Sequence, residues 1–296
     1  MLRLDFTYAD LGLRETSEKT RRSSISGVQE KVQLRKKRGG YEVVSTGGDS
    51  ILKPVPRNTM AKFAWDIPAN EHLTMQLASR LFGIRTAENE LVTLADGEYA
   101  YLTRRFDRRD GLPIRQEDFC QLSGRSEDTH GSNYKYDASY EELSELVRKY
   151  CPSSAVENPK IFSIILFNYV FSNGDAHLKN FSLFQSPQGD YILTPAYDLL
   201  NTAVHFPNEP TATGLDFFVD GHFTPQYEIL GFYSSIDFIE LGVCYGVGES
   251  FVRRLIDAYR AKADEVERRV AASYLSDEAK VLYLNGFRDR LKAIQQ

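Results

Sequence analysis

The chain has 296 residues, 42% of them hydrophobic and 26% charged, with a formal net charge of −5. That size and balance fit a globular protein with room for two lobes, and the negative sum argues against a general nucleic-acid coat. No apolar run reaches the ~18 residues of a membrane span, and MLRLDFTYADLG at the start lacks the basic-then-apolar layout of a signal peptide, so the cytoplasm is the expected compartment.

The first 25 residues are polar, and the serines and cations of SEKTRRSSISG read as a loop. VQEKVQLRKK (28–37) alternates as a strand. GGYEVVSTGGDSILKPV then gives a glycine turn, a strand, a second glycine turn and a strand that carries Lys53, so three strands are expected as an antiparallel meander. A helix follows over about 69–81, with Leu73, Leu77 and Leu81 on one face and Gly83 as its stop. NELVTL and EYAYLTRRF are strands joined at Ala95-Asp96-Gly97. Beyond about residue 106 the pattern turns helical. SYEELSELVRKY (139–150) and the run from Pro159 to Ser172 read as helices, NFSLFQ and YILTP as short strands, and the last 70 residues as mostly helical, with solvated charged faces. Cys120, Cys151 and Cys244 are far apart, and no C-x-x-C pair suggests a zinc ribbon or a thioredoxin-like site.

The chemistry concentrates in FSNGDAHLKNFSLF (171–184), where an apolar chain enters and leaves a dense polar centre. Asp175 and Asn180 stand at the spacing D-x-x-x-x-N. Protein kinases use that spacing for the carboxylate that accepts the substrate hydroxyl proton and for a magnesium ligand. Asp198, in YILTPAYDLL, is expected at the end of a strand, where a second metal-ligating carboxylate would sit. Lys53 closes a strand as the phosphate-binding lysine of kinases does. Glu71, early in the following helix, is its expected ion-pair partner. Neither a Walker-A loop nor the G-x-G-x-x-G lid of ordinary kinases is present, and Asp198 is followed by Leu199-Leu200 rather than Phe-Gly.

SISGVQEKVQL, SILKP, NEHLTMQLA, RRFDRR, QEDFCQ, NGDAHLKNFSL and LTPAYDLL, in that order, resemble the HipA-like serine/threonine kinase toxins of bacterial toxin–antitoxin systems. The resemblance runs from about residue 23 to 205. It implies an α+β, two-lobed protein-kinase-like fold, with a β-rich N-lobe over 1–106 and a mostly helical C-lobe over 107–296. It also implies a kinase that uses ATP and Mg²⁺ to phosphorylate an aminoacyl-tRNA synthetase and so stall translation. Carried onto this sequence, Asp175 would be the catalytic base, and Asn180 and Asp198 the metal ligands. Ser26, Gly27, Lys53, His177, Lys179 and Tyr197 would join them around ATP, with the backbone of Arg104, Arg105 and Phe106 meeting the adenine. Arg104 stands where the family usually has an acidic residue.

In this family a serine of the glycine-poor loop is autophosphorylated to switch the kinase off. Ser24 occupies that position and Ser26 supplies the second acceptor of the shorter, HipT-type members. A phosphate there would repel nucleotide. Full-length relatives carry an additional N-terminal subdomain before this loop. The resemblance therefore implies a small partner protein resembling that subdomain, together with a DNA-binding antitoxin through which any nucleic-acid contact would be made. Two other readings of the same residues are a kinase fold that binds nucleotide or antitoxin without catalysis, and a small-molecule kinase. Intact Asp175, Asn180, Asp198 and Lys53 oppose the first, and the paired serines oppose the second.

Overall fold

The computed structural model describes residues 1–13, 29–57, 59–109, 111–207 and 213–296. Ser24, Ser26 and Gly27 lie outside these residues. The first part of the chain forms β1 (Leu2–Arg3), β2 (Val32–Lys37), β3 (Gly40–Val44), β4 (Ser50–Pro54), α1 (Ile67–Gln76), β5 (Asn89–Thr93) and β6 (Tyr99–Arg104). The strands make one sheet in the order β1-β5-β6-β4-β2-β3.

Alternation along β4 sends Leu52 and Lys53 to opposite faces. Leu52 joins Leu4, Leu11, Val32, Leu34, Val92, Ala100 and Leu102 in a core closed by the N-terminal segment. Lys53 lies opposite Tyr101 of β6 and faces α1, which packs on β5 and β6. A one-residue slip would exchange the two sets.

The three early strands do not make the expected meander. β2 lies between β3 and β4, and β4 pairs with β2 and β6. The second glycine turn explains the crossing. A side chain at Gly48 would meet the Leu34 carbonyl at 2.7 Å, so only glycine lets the chain fold back across the end of β2. β1, a two-residue strand parallel to β5, is too short to show as a periodic pattern. Helix α1 starts two residues before the expected Ala69. A π-helical stretch over Leu77–Leu81 then ends at Gly83, with φ +69°.

A small hairpin, β7 (Arg108–Arg109) and β8 (Leu112–Pro113), follows β6. Then come β9 (Gln116–Asp118), α2 (Phe119–Ser123), α3 (Glu127–His130), α4 (Tyr140–Tyr150) and α5 (Ser154–Val170). The polar loop leads into β10 (Ser182–Gln185) and β11 (Tyr191–Leu193). Antiparallel pairing joins both to β9 in the order β11-β10-β9. The chain ends in α6 (Pro225–Leu230), α7 (Ser235–Cys244), α8 (Glu249–Ala261), α9 (Ala263–Ala271) and α10 (Asp277–Ala293).

Helix α5 begins at Ser154, five residues before the expected Pro159, which it accommodates in its interior. It is buried on nearly every side. Phe162, Phe167 and Phe171 pack with Phe238, Tyr283 and Phe287 in the main core. Asp198 lies five residues beyond the end of β11 rather than at a strand end, because pairing stops at Leu193. Among the described residues no helix is long and apolar enough to cross a membrane.

Candidate active site

The face of the sheet that carries Lys53 opens onto a cleft of about 300 Å³, at the low end of small-molecule sites. Ile51, Lys53, Tyr101 and Thr103 line it from alternate positions of β4 and β6. Arg104, Arg105 and Phe106 close one end, and Lys179, Tyr197 and Asp198 come from the other side of the cleft.

At its floor one ammonium holds two carboxylates. Lys53 Nζ donates to Glu71 Oε1 at 2.5 Å and also to Asp198 Oδ1, and Lys31 Nζ lies 3.8 Å from Asp198 Oδ2. Lys53 and Glu71 are 4% and 1% exposed, which makes both charges costly without partners.

The electrostatics follow from two anions sharing a buried cation. Burial raises the Asp198 carboxyl, but Lys31 and Lys53 outweigh it and hold the group well below the usual carboxylate range. Glu71 is pushed up to about 7, by burial first and by the neighbouring Asp198, against the pull of Lys53. Burial lowers Lys53, yet the two carboxylates more than offset it and keep the amine protonated.

Strained backbone aims the groups. Asp198 and Ser172 both adopt left-handed conformations, with φ of +55° and +54°. Such residues persist only where their surroundings over-determine them, and they cluster at functional sites. Here hydrogen bonds join the two turns. Thr202 donates from its amide and its hydroxyl to the Ser172 carbonyl, Gly174 N–H donates to Thr202 Oγ1, and Asn173 Nδ2 donates to Asn168 Oδ1 and to the Asp198 carbonyl. Much of the polar centre of FSNGDAHLKNFSLF is thus satisfied within the chain.

Asp175 accepts a 2.5 Å hydrogen bond from Tyr136 Oη, and its Oδ1 lies 3.9 Å from His177 Nε2. Burial takes the His177 imidazole down to about 4, against the pull of Asp175. Asn180 turns its Oδ1 back onto the His177 amide at 3.2 Å. Asp175, His177 and Asn180 do not line the cleft itself, whereas the other expected site residues among those described do, with Glu71 at its floor. Lys179 is held by Asp118 at 2.6 Å. Tyr197 donates to the Lys179 carbonyl at 2.8 Å and sets its ring 5.5 Å from that of Phe106. That pair leaves an aromatic wall beside Arg104 and Arg105. The amides of those two residues are already committed to the carbonyls of Glu88 and Asp49.

Sequence reasoning missed Lys31, Asp118 and Tyr136. Lys31 and Asp118 fall within the quoted segments SISGVQEKVQL and QEDFCQ. Tyr136 sits in a loop without periodicity, and only the fold brings it across 39 residues to Asp175. Among the described residues no three His, Cys, Asp or Glu side chains converge on a metal position. The oxygen donors of Asp198 and Asn180 are of the kind magnesium takes.

Residues 23–267 match the family of HipA-like C-terminal domains. A Haemophilus influenzae protein named "Putative kinase" is 29% identical over 93% of this chain and 82% of its own length. A Shewanella oneidensis protein named "Serine/threonine-protein kinase toxin HipA" is 31% identical over 53% of this chain and 38% of its own. Among solved structures, Shewanella oneidensis HipA, in a complex with HipB and operator DNA, superposes with a TM-score of 0.66 at 23% identity. That likeness covers 94% of this chain and 66% of HipA. The Helicobacter pylori proinflammatory kinase CtkA superposes with a TM-score of 0.56 at 13% identity, over 83% and 87% of the two chains. These structural likenesses are of fold, and the fold is the two-lobed, kinase-like α+β arrangement. The chain spans less than two thirds of the length of either HipA match.

Proposed function

The chain belongs to the family of HipA-like C-terminal domains, and from that premise we propose that it is an ATP- and Mg²⁺-dependent protein serine/threonine kinase. The observation that carries the reading is the buried lysine held at once by Glu71 of α1 and by Asp198. Kinases require a strand lysine fixed by a helix glutamate and a metal-site aspartate close by.

In this reading Lys53 leaves Asp198 to hold the ATP phosphates while Glu71 keeps its ammonium in place. Phe106 and Tyr197 supply the wall for the adenine ring. The Phe106 amide meets the adenine edge, because those of Arg104 and Arg105 are spent. Asp198 and Asn180 would hold the magnesium ion, which neutralises charge on the phosphates when bound. Asp175 takes the proton of the acceptor hydroxyl as its oxygen attacks the γ-phosphorus and ADP leaves. Lys179 lines the approach, and His177 stands behind it, buried beside Asp175. We place the division between the lobes after Phe106, with 1–106 and 107–296 closing on the nucleotide.

The partnership follows the relatives. The Shewanella oneidensis protein is named as a toxin, and its structure contains HipB and operator DNA. We infer a toxin of a toxin–antitoxin pair, acting in the cytoplasm on an aminoacyl-tRNA synthetase. A DNA-binding antitoxin and a small partner resembling the N-terminal subdomain would accompany it, and phosphate on Ser24 or Ser26 would silence it.

The test is mass spectrometry of the protein after incubation with Mg·ATP, beside Asp175→Asn. Phosphate on Ser24 or Ser26 should appear in the parent protein and fall by about 10²-fold or more in the variant, as loss of a general base demands. Equal labelling in both would remove Asp175 from the chemistry. Absence of any phosphotransfer, to these serines or to a synthetase substrate, would leave a binding module.

A further inference from the structure

Asn70 precedes Glu71 on α1 and is completely buried. Its amide spans to the segment that follows Asp198. Nδ2 donates to the Asn201 carbonyl at 2.8 Å, and Oδ1 accepts from the Asn201 amide at 2.9 Å. The second Nδ2 hydrogen faces His205 Nε2 at 2.8 Å, and Thr74 Oγ1 donates to Oδ1 at 3.2 Å. Both donors and both lone pairs of one side chain are therefore used, which fixes its orientation. A flipped amide would set oxygen against the Asn201 carbonyl and a donor against the Asn201 N–H.

The same count fixes the histidine. Since Nε2 must accept, the imidazole proton sits on Nδ1, which lies 2.9 Å from the Lys62 carbonyl. Burial holds this ring neutral by lowering its pKa to about 4, so at neutral pH the acceptor is always available.

We propose that Asn70 and His205 are positioning residues, a neutral latch that sets Glu71 against Asp198 and so fixes how far Lys53 must travel between them. The latch rests on the kinase reading above and deepens it. Glu71 is one residue from one end of the latch and Asp198 is three residues from the other. Two carboxylates around one ammonium repel each other, so the ion pairs alone would not keep α1 and the Asp198 turn at a fixed separation. An uncharged amide bonded to the backbone at both its ends resists that repulsion without adding charge to the cleft.

The experiment measures ATP-dependent phosphotransfer for the parent protein, Asn70→Ala, His205→Ala and His205→Gln, at a temperature where circular dichroism shows all four folded. Gln offers an amide oxygen near the position of Nε2. Asn70→Ala should lose about tenfold or more in kcat/KM for Mg·ATP, the scale on which supporting hydrogen bonds act. His205→Ala should lose several-fold, and His205→Gln should recover most of that loss. A ¹⁵N spectrum of the parent protein should show His205 neutral and protonated on Nδ1. Asn70→Ala within twofold of the parent protein, His205→Gln no better than His205→Ala, or a proton on Nε2 would each overturn the latch while leaving the kinase reading standing. A parent protein without phosphotransfer would remove that reading and the positioning role with it.

Discussion

Replacing Glu71 by Gln separates two views of the buried triad. If Lys53–Glu71 were a simple buried salt bridge, removing one charge would cost about 3–5 kcal/mol. The structure predicts the opposite sign at neutral pH. Burial and the nearby Asp198 raise Glu71 from 4.5 to about 7 in the folded chain. Between those values the folded state binds a proton that the unfolded chain has released, so stability falls as pH rises across that window. At about 1.4 kcal/mol per pH unit the total approaches ~3 kcal/mol once the pH exceeds 7.

Gln resembles the protonated form and carries no such penalty. Urea unfolding followed by circular dichroism should therefore find Glu71→Gln equal to the parent protein near pH 4 and more stable by up to ~3 kcal/mol at pH 8. Phosphotransfer should fall in the same variant, because Lys53 loses its charged anchor, a stability–activity trade common at strained sites. A Glu71→Gln protein less stable than its parent at pH 8 would refute the reasoning. It would mean that the attraction to Lys53 outweighs burial and the second carboxylate.

Gly214→Ala tests how the loop that carries Asp175 is seated. A Cβ there would lie 2.5 Å from the Ala176 carbonyl carbon and 2.6 Å from its amide nitrogen, and overpacking against backbone costs about 1–3 kcal/mol. The loop next to Asp175 must shift. The variant should fold with a lower urea midpoint and lose kcat far more than it gains KM for ATP; an unchanged kcat would show that this loop tolerates displacement. Tyr136→Phe removes the 2.5 Å donor to Asp175. Hydrogen bonds to charged groups contribute about 1.5–3 kcal/mol, so kcat should drop about ten- to a hundredfold with KM for Mg·ATP near its parent value. Unaltered kcat would leave Tyr136 as a packing residue.

What was legible in the sequence was chemistry arranged in order along the chain. Lys53, Glu71 and Asp198 could be picked out because few residue types serve such a site and their succession is itself informative; the fold then brings the three together. The strand that carries Lys53 was legible too, from a short apolar stretch between the second glycine turn and Pro54. Strand order was not. It turns on a close approach at Gly48, and nothing local distinguishes a glycine that turns a hairpin from one that lets a chain cross a strand. β1 and β9, of two and three residues, are shorter than any pattern could reveal. Lys31 and Tyr136 reach the site by tertiary packing alone, and the latch from Asn70 to Asn201 closes over 131 residues. The serine loop, where regulation was expected, lies outside the described residues.

The distance along the chain between the members of the triad has a consequence during synthesis. Lys53 and Glu71 are 18 residues apart, but Asp198 comes 145 residues after Lys53. At the ~5–20 residues per second of a translating ribosome, that interval lasts about 7–30 s. Until it ends, the second carboxylate that receives the lysine has not been made. The one-cation, two-anion arrangement can arise only after α5 and the polar loop have been made. A nascent chain halted between Asn180 and Asp198 would contain Lys53, Glu71 and the polar loop but not the second carboxylate.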